Sequence, residues 1–215
     1  QGFLQRNFRL FITTKVWISN GGYEKAKVSL KESLRKLQTE YIDLVLIHQP
    51  FNDYYGTYRA MEEACKEGWI RAIGVSNFYP DRLIDLCNFV EVKPAINQVE
   101  THVFQQQAQA HEYMVKYGVQ HESWGPFAEG RKDFFTNPVL MEIGKKYNKS
   151  AAQTALRFLI QSGVVVIPKS THKERMIQNI DVFDFVLSGE DMLAIQALDA
   201  KESLFFSHYD PATVE

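Results

Sequence analysis

The chain has 215 residues, a formal net charge of −2 and 45% hydrophobic residues, a makeup with enough apolar material for a sizeable core. The near-neutral charge excludes general binding to nucleic acid or to a charged membrane surface, and no apolar run approaches the roughly 20 residues of a membrane-spanning helix. Two cysteines, Cys65 and Cys87, both within helical patterns, point to a reducing, cytoplasmic setting, and no cationic-then-apolar segment of a signal peptide opens the sequence.

Taken in order, the sequence alternates between two periods. Residues 8–17 (FRLFITTKVW) read as a strand with Lys15 near its end. From Tyr23, the apolar residues Ala26, Leu30, Leu34 and Leu37 recur every three or four positions, one face of a helix. Residues 42–48 (IDLVLIH) read as a buried strand, broken by Gln49 and Pro50. Tyr58, Met61, Ala64 and Cys65 form a second helical face that stops at Gly68. Residues 69–76 (WIRAIGVS) are the next strand, and Pro80 suits the first turn of a third helix. A strand over 96–100 (INQVE) leads to a helix over 108–117 ending at Gly118. A further strand, 119–124 (VQHESW), ends at Gly125 and Pro126, and a long loop spans 127–138.

Two helical patterns follow, the second opened by the capping-box pair Ser150 and Gln153. The run Val164 to Ile167 reads as a parallel-sheet strand covered on both faces, and Pro168 stops it. Thr171 and Glu174 then have capping-box spacing, so a helix is expected to start there, with Lys169, Ser170 and Arg175 around its N-terminus. A strand end, a helix start, two cations and a hydroxyl suit an anion such as phosphate; the plain alternative is a solvated charge run. Ser188 and Asp191 open a last helix, and the tail from Lys201 reads as irregular and partly packed. Met61, Met114, Met141 and Met192 read as core fillers.

Strand–helix alternation with no linker predicts one α/β domain over residues 1–215 with a parallel sheet. No G-x-G-x-x-G follows any strand, which argues against a doubly wound dinucleotide fold. Instead, reactive side chains stand at the C-terminal ends of different strands: Lys15, His48, Ser76 with Asn77, Gln98, Trp124 and Lys169. A (β/α)8 TIM barrel would gather such ends at one mouth. About six strands are present against the barrel's eight, and the first residue is Gln, so the expectation is a barrel lacking its first two strand–helix units.

The motifs ITTKVW, IDLVLIHQP, IRAIGVSNF, INQVE, SWGPF and VVIPKSTHKERMIQN, in this order, resemble the aldo-keto reductases. HESWGPFAEG and KESLFFSHYDP look most like the bacterial 2,5-diketo-D-gluconate reductase branch. The resemblance implies NADPH/NADP+ as cofactor and a small carbonyl substrate. It implies that Lys15 and His48 are catalytic and that Trp17 lines the substrate pocket. Ser76, Asn77 and Gln98 would hold the nicotinamide carboxamide, and Trp124, followed by Gly125, Pro126 and Phe127, would carry its ring. Ile167, Pro168, Lys169, Ser170, Thr171, Arg175, Gln178 and Asn179 would surround the adenosine 2′-phosphate and adenine; many members have Glu where this chain has Gln178.

Carbonyl reduction needs hydride at carbon and a proton at oxygen, so a tyrosine acid would need a nearby cation, such as Lys15, to lower its pKa. In the family that tyrosine and the lysine's aspartate partner lie upstream, and Tyr23, Tyr54 and Tyr55 do not match the motif. If the 215 residues were complete, an open-edged barrel with little reductase activity would be expected. The alternatives are a non-catalytic nucleotide-binding barrel and a barrel enzyme in which Lys15 forms a Schiff base. The remaining histidines show no metal-ligand spacing, and the polar helix faces predict a monomer.

Overall fold

The computed structural model describes residues 9–206, which fall into two compact units. The first comprises residues 9–76 and 85–95, the second 77–84 and 96–206. The start of the expected first strand at Phe8, and the tail motif beyond Phe206, lie outside the described residues.

The first unit holds β1 (Thr13–Val16), α1 (Tyr23–Leu37), β2 (Ile42–Ile47), α2 (Tyr54–Lys66) and β3 (Ile70–Ser76). Its strands are parallel, with Lys15 opposite Leu46 and Leu46 opposite Gly74. All six β2 residues are buried because a strand flanks each side, as its unbroken apolar run requires. β1 is shorter than its sequence pattern and half-exposed; Leu10 and Phe11, expected within it, are exposed. Asp53 caps α2 by accepting from the Gly56 amide, five residues ahead of the Tyr58 face that marked the helix in the sequence. The helix α3 (Pro80–Phe89) begins in the second unit and ends in the first.

The second unit holds β4 (Ile96–Glu100), α4 (Ala108–Tyr117), β5 (Gln120–Trp124), α5 (Pro138–Tyr147), α6 (Ala151–Gln161), β6 (Val165–Val166), α7 (Lys173–Ile180) and α8 (Gly189–Gln196). Here too the strands run parallel, with Gln98 opposite Glu122, Glu100 opposite Trp124 and Ser123 opposite Val166. Phe104, Phe134, Leu156, Phe158 and Leu159 anchor the core against which these elements pack. Six strands are thus present among the described residues, as counted from sequence.

Local signals fared unevenly. Ser150 and Gln153 form the reciprocal capping box, and Ser188 caps α8 through the Asp191 amide. The box expected from Thr171 and Glu174 does not form: α7 starts one residue later, after His172, whose amide is bound by Ser170 Oγ at 3.1 Å. The strand after Gly163 is two residues long, with Val165 and Ile167 each more than 40% exposed, so it is not covered on both faces. It pairs only with β5 among the described residues, and β-branched residues alone did not distinguish that edge from an interior strand. Met61 and Met114 are fully buried, whereas Met141 faces outward on α5 and is no core filler. The long loop at 127–138 contains two 3-10 turns and buries Phe134. No helix among the described residues is long and apolar enough to cross a membrane.

Candidate active site

In the first unit, parallel pairing carries Lys15 and His48 to the same end of their strands. The His48 amide donates to the Val16 carbonyl at 3.0 Å, one residue beyond Lys15. The exposed Trp17 meets His48 edge-on, with ring centroids 4.8 Å apart. Burial, and secondly the charge of Lys15, push the His48 pKa down to about 4. At neutral pH the imidazole is therefore uncharged and acts as a hydrogen-bond donor through one nitrogen. Ser76, at the end of β3, is fully buried.

The next residue, Asn77, opens the second unit with φ of 62°, a left-handed conformation that asparagine tolerates better than most residues. Its amide N–H donates to the Gln98 carbonyl at 2.9 Å, which seats it against β4. Trp124 Nε1 donates to Asn77 Oδ1 at 2.7 Å, and Gln98 Nε2 donates to Glu122 Oε1 at 2.5 Å. Asn77, Gln98 and Glu122 are all buried, while Trp124 is half-buried. The carbonyl of Gly125, at φ of 65°, accepts from the Ala128 amide, and Pro126 is buried. Phe127 packs on Phe134 and Phe135, so its ring belongs to the core as much as to any ligand.

The tail folds back over this cluster. Glu100 accepts from His102 Nε2 at 3.0 Å, from the Leu204 amide at 2.9 Å and from the Ser203 hydroxyl. Phe205 then meets Trp124 edge-on at 5.1 Å, and Phe206 stacks on it at 6.3 Å. The Arg131 guanidinium lies 4.1 Å over Phe205 and donates to the Leu204 carbonyl.

The expected phosphate loop is open. Ile167, Lys169, Thr171, Arg175 and Gln178 are exposed, and Pro168, Ser170 and Asn179 are half-buried. Neither Lys169 nor Arg175 forms an ion pair among the described residues, and both stand exposed at the start of α7, whose first turn also carries Glu174. Such a loop suits a dianionic phosphate held by two cations.

The structure thus joins Lys15, His48 and Trp17 in one cluster, and Asn77, Gln98 and Trp124 in another. Sequence reading missed Glu122, Glu100, His102 and Arg131. The signal for the first two was available: a carboxylate inside a buried strand needs a designated partner.

Parallel strands with intervening helices, and candidate side chains at strand C-termini, are what the barrel class of α/β enzymes presents. The model of the Aldo/keto reductase family matches residues 3–200, and the chain belongs to that family. It is 47% identical over 194 residues to glyoxal reductase of Bacillus subtilis (strain 168), covering 90% of this chain and 70% of that protein. The structure resembles that of MGS-M4, an aldo-keto reductase from a Medee basin deep-sea metagenome library, with a TM-score of 0.90 at 41% identity, covering 93% of this chain and 74% of that one. It also resembles the Bombyx mori aldo-keto reductase AKR2E4 in complex with NADP, with a TM-score of 0.86 at 34% identity, covering 95% and 71%. The neighbours are (β/α)8 aldo-keto reductases, and the barrel expectation holds with six strands present.

Proposed function

We propose that this protein is an NADPH-dependent reductase of small aldehydes and ketones, working in the cytoplasm as a monomer and without nucleic acid. The observation that carries this reading is the neutral His48 beside the Lys15 cation, in a chain of the aldo/keto reductase family. Similarity to a glyoxal reductase supports small dicarbonyls as substrates.

The residues fit the cofactor by chemistry. Two side-chain amides match a carboxamide, an indole offers a flat face, and two cations match a 2′-phosphate. When bound, NADPH supplies the hydride for the carbonyl carbon. Asn77, Gln98, Ser76 and Trp124 with Gly125, Pro126 and Phe127 hold its nicotinamide end. The segment from Ile167 to Thr171, with Arg175, Gln178 and Asn179, holds its phosphate and adenine. His48 donates a hydrogen bond to the carbonyl oxygen and orients it, and Trp17 flanks the substrate. Lys15 places positive charge where oxyanion character develops and lowers the pKa of a hydroxyl acid beside it. That acid is neither Tyr23, pushed up by its bond to Glu63, nor Tyr55, pushed up by burial and Asp85. The non-catalytic alternative is not favoured, because the similar proteins are named reductases.

The test has two arms. Fluorescence titration should show NADPH binding well below the concentration needed for NADH. Loss of NADPH absorbance with glyoxal or methylglyoxal should report turnover, and His48→Gln should cut it roughly 100-fold with cofactor affinity kept. Equal affinity for the two dinucleotides would remove the phosphate assignment, and an affinity collapse in His48→Gln would make His48 structural. Over residues 1–215 we read a single domain, which predicts one cooperative thermal transition.

A further inference from the structure

The helix α7 is tied to the second unit at its C-terminal end. No residue within it is buried, and Met176, Ile177 and Ile180 are exposed, so core packing gives its direction little support. Its C-cap, Asp181, is instead gripped by polar side chains. The Asp181 carbonyl accepts from Gln153 Nε2 at 2.9 Å and from Lys149 Nζ at 3.2 Å. The Asp181 carboxylate accepts from Lys149 Nζ at 2.9 Å, and Asp184 accepts from it at 2.8 Å. An ammonium has three N–H donors, and these three acceptors use them all. The Lys149 side chain is only 7% exposed, and its ammonium lies 5.4 Å over the Phe185 ring, so the ion pairs are partly shielded from water. Val182 and Phe185, which follow, are buried in the core. Asp181 is thus the joint between an exposed helix and a buried segment.

Gln153 serves two helices at once. Its Oε1 accepts from the Ser150 amide in the capping box of α6, while its Nε2 holds Asp181. A capping box takes glutamate as readily as glutamine, so the box does not explain the amide; the bond to Asp181 does. At the far end of α7, about 12 Å away at 1.5 Å per residue, stand Lys169, Ser170 and Arg175.

We propose that Lys149 and Gln153 are positioning residues that fix the direction of α7 from its C-terminal end and so hold Lys169, Ser170 and Arg175 in place for a 2′-phosphate. This rests on the reading that the protein binds NADPH through that loop. It deepens that reading by naming two residues outside the loop on which the preference for NADPH over NADH depends. A helix is stiff along its length, so loosening one end displaces the other. NADH carries no 2′-phosphate and is indifferent to that displacement.

The test measures dissociation constants for NADPH and NADH by fluorescence titration in the wild type, Lys149→Met and Gln153→Glu, with thermal unfolding run alongside. Lys149→Met should weaken NADPH roughly 3–10-fold and leave NADH within about twofold. Gln153→Glu keeps the capping box but turns an acceptor toward Asp181, so it should lower the NADPH preference in the same direction. A role confined to stability would lower the melting temperature and move both dinucleotides by the same factor, or neither. The proposal is overturned if either folded variant keeps the wild-type ratio of the two affinities. Should Lys149→Met fail to fold, the ratio in Gln153→Glu decides alone. Wild-type protein that binds the two dinucleotides equally would overturn the phosphate assignment and this inference with it; a wild-type preference that the variants retain would overturn the inference only.

Discussion

The second unit offers two candidate recognition regions built on opposite principles. In the seat of Asn77, Gln98, Glu122 and Trp124 the first three residues are buried, and two side-chain hydrogen bonds, Trp124 to Asn77 and Gln98 to Glu122, tie the four together. The loop of Lys169, Ser170 and Arg175 is open to solvent, and its two cations have no acid partner among the described residues. The proposed role of the seat is to read geometry, through hydrogen bonds of 2.5 and 2.7 Å within it. The proposed role of the loop is to read charge, over a longer distance and with less demand on orientation. Buried, preorganised groups give discrimination that salt does not touch, whereas exposed cations give affinity that salt screens.

That contrast breaks most sharply at the loop. Lys169→Ala combined with Arg175→Ala should weaken NADPH by roughly 100-fold or more and NADH by little, since two charge-assisted contacts to the 2′-phosphate are lost. The NADPH affinity of the wild type should fall as salt is raised from low to physiological levels, and that dependence should flatten in the variant. A parallel loss for both dinucleotides would mean that the loop holds the fold rather than the phosphate.

At the amide seat the pattern should invert. Asn77→Asp keeps the acceptor for Trp124 Nε1 and suits the positive φ, but removes the donor. It should weaken NADPH and NADH alike, by about tenfold, with the salt dependence unchanged. Titrations of both dinucleotides at two ionic strengths separate this result from the loop's. A change confined to NADPH would erase the distinction between the regions.

The same contrast explains what was legible in the sequence. Strand ends could be read because Pro50, Gly125 and Pro168 punctuate apolar runs, and the chemistry-bearing residues stand beside them. The Ser150 and Ser188 caps could be read because each interaction closes within three residues. At α7 the same spacing misled, because Ser170 took the His172 amide and the helix started a residue late. Glu122 could be flagged as a carboxylate within a strand, but its partner could not be named, since the register that sets Gln98 opposite Glu122 is encoded by no local pattern. The Glu100 anchor lay further from view, because its partners Ser203 and Leu204 are about a hundred residues away in sequence.

The smallest expected effect concerns acid. Beneath the seat, His121 on β5 is buried, with its two ring nitrogens against Thr101 Oγ1 at 2.8 Å and His111 Nδ1 at 3.1 Å. Burial, then the neighbouring His111, lower its pKa from an ordinary 6.5 to about 3. A histidine depressed in the folded state takes up its proton first in the unfolded chain. Its contribution to stability is therefore present above pH 6.5 and is lost progressively as the pH falls toward 3. In His121→Gln, which can keep one of the two hydrogen bonds, the fall in unfolding free energy between about pH 6 and 5 should shrink by roughly 1 kcal/mol. Urea unfolding across that range measures the slope, which is insensitive to any constant loss of packing in the variant. An unchanged slope would place the acid sensitivity elsewhere, and His48, lowered to about 4 in the first unit, would be the next residue to replace.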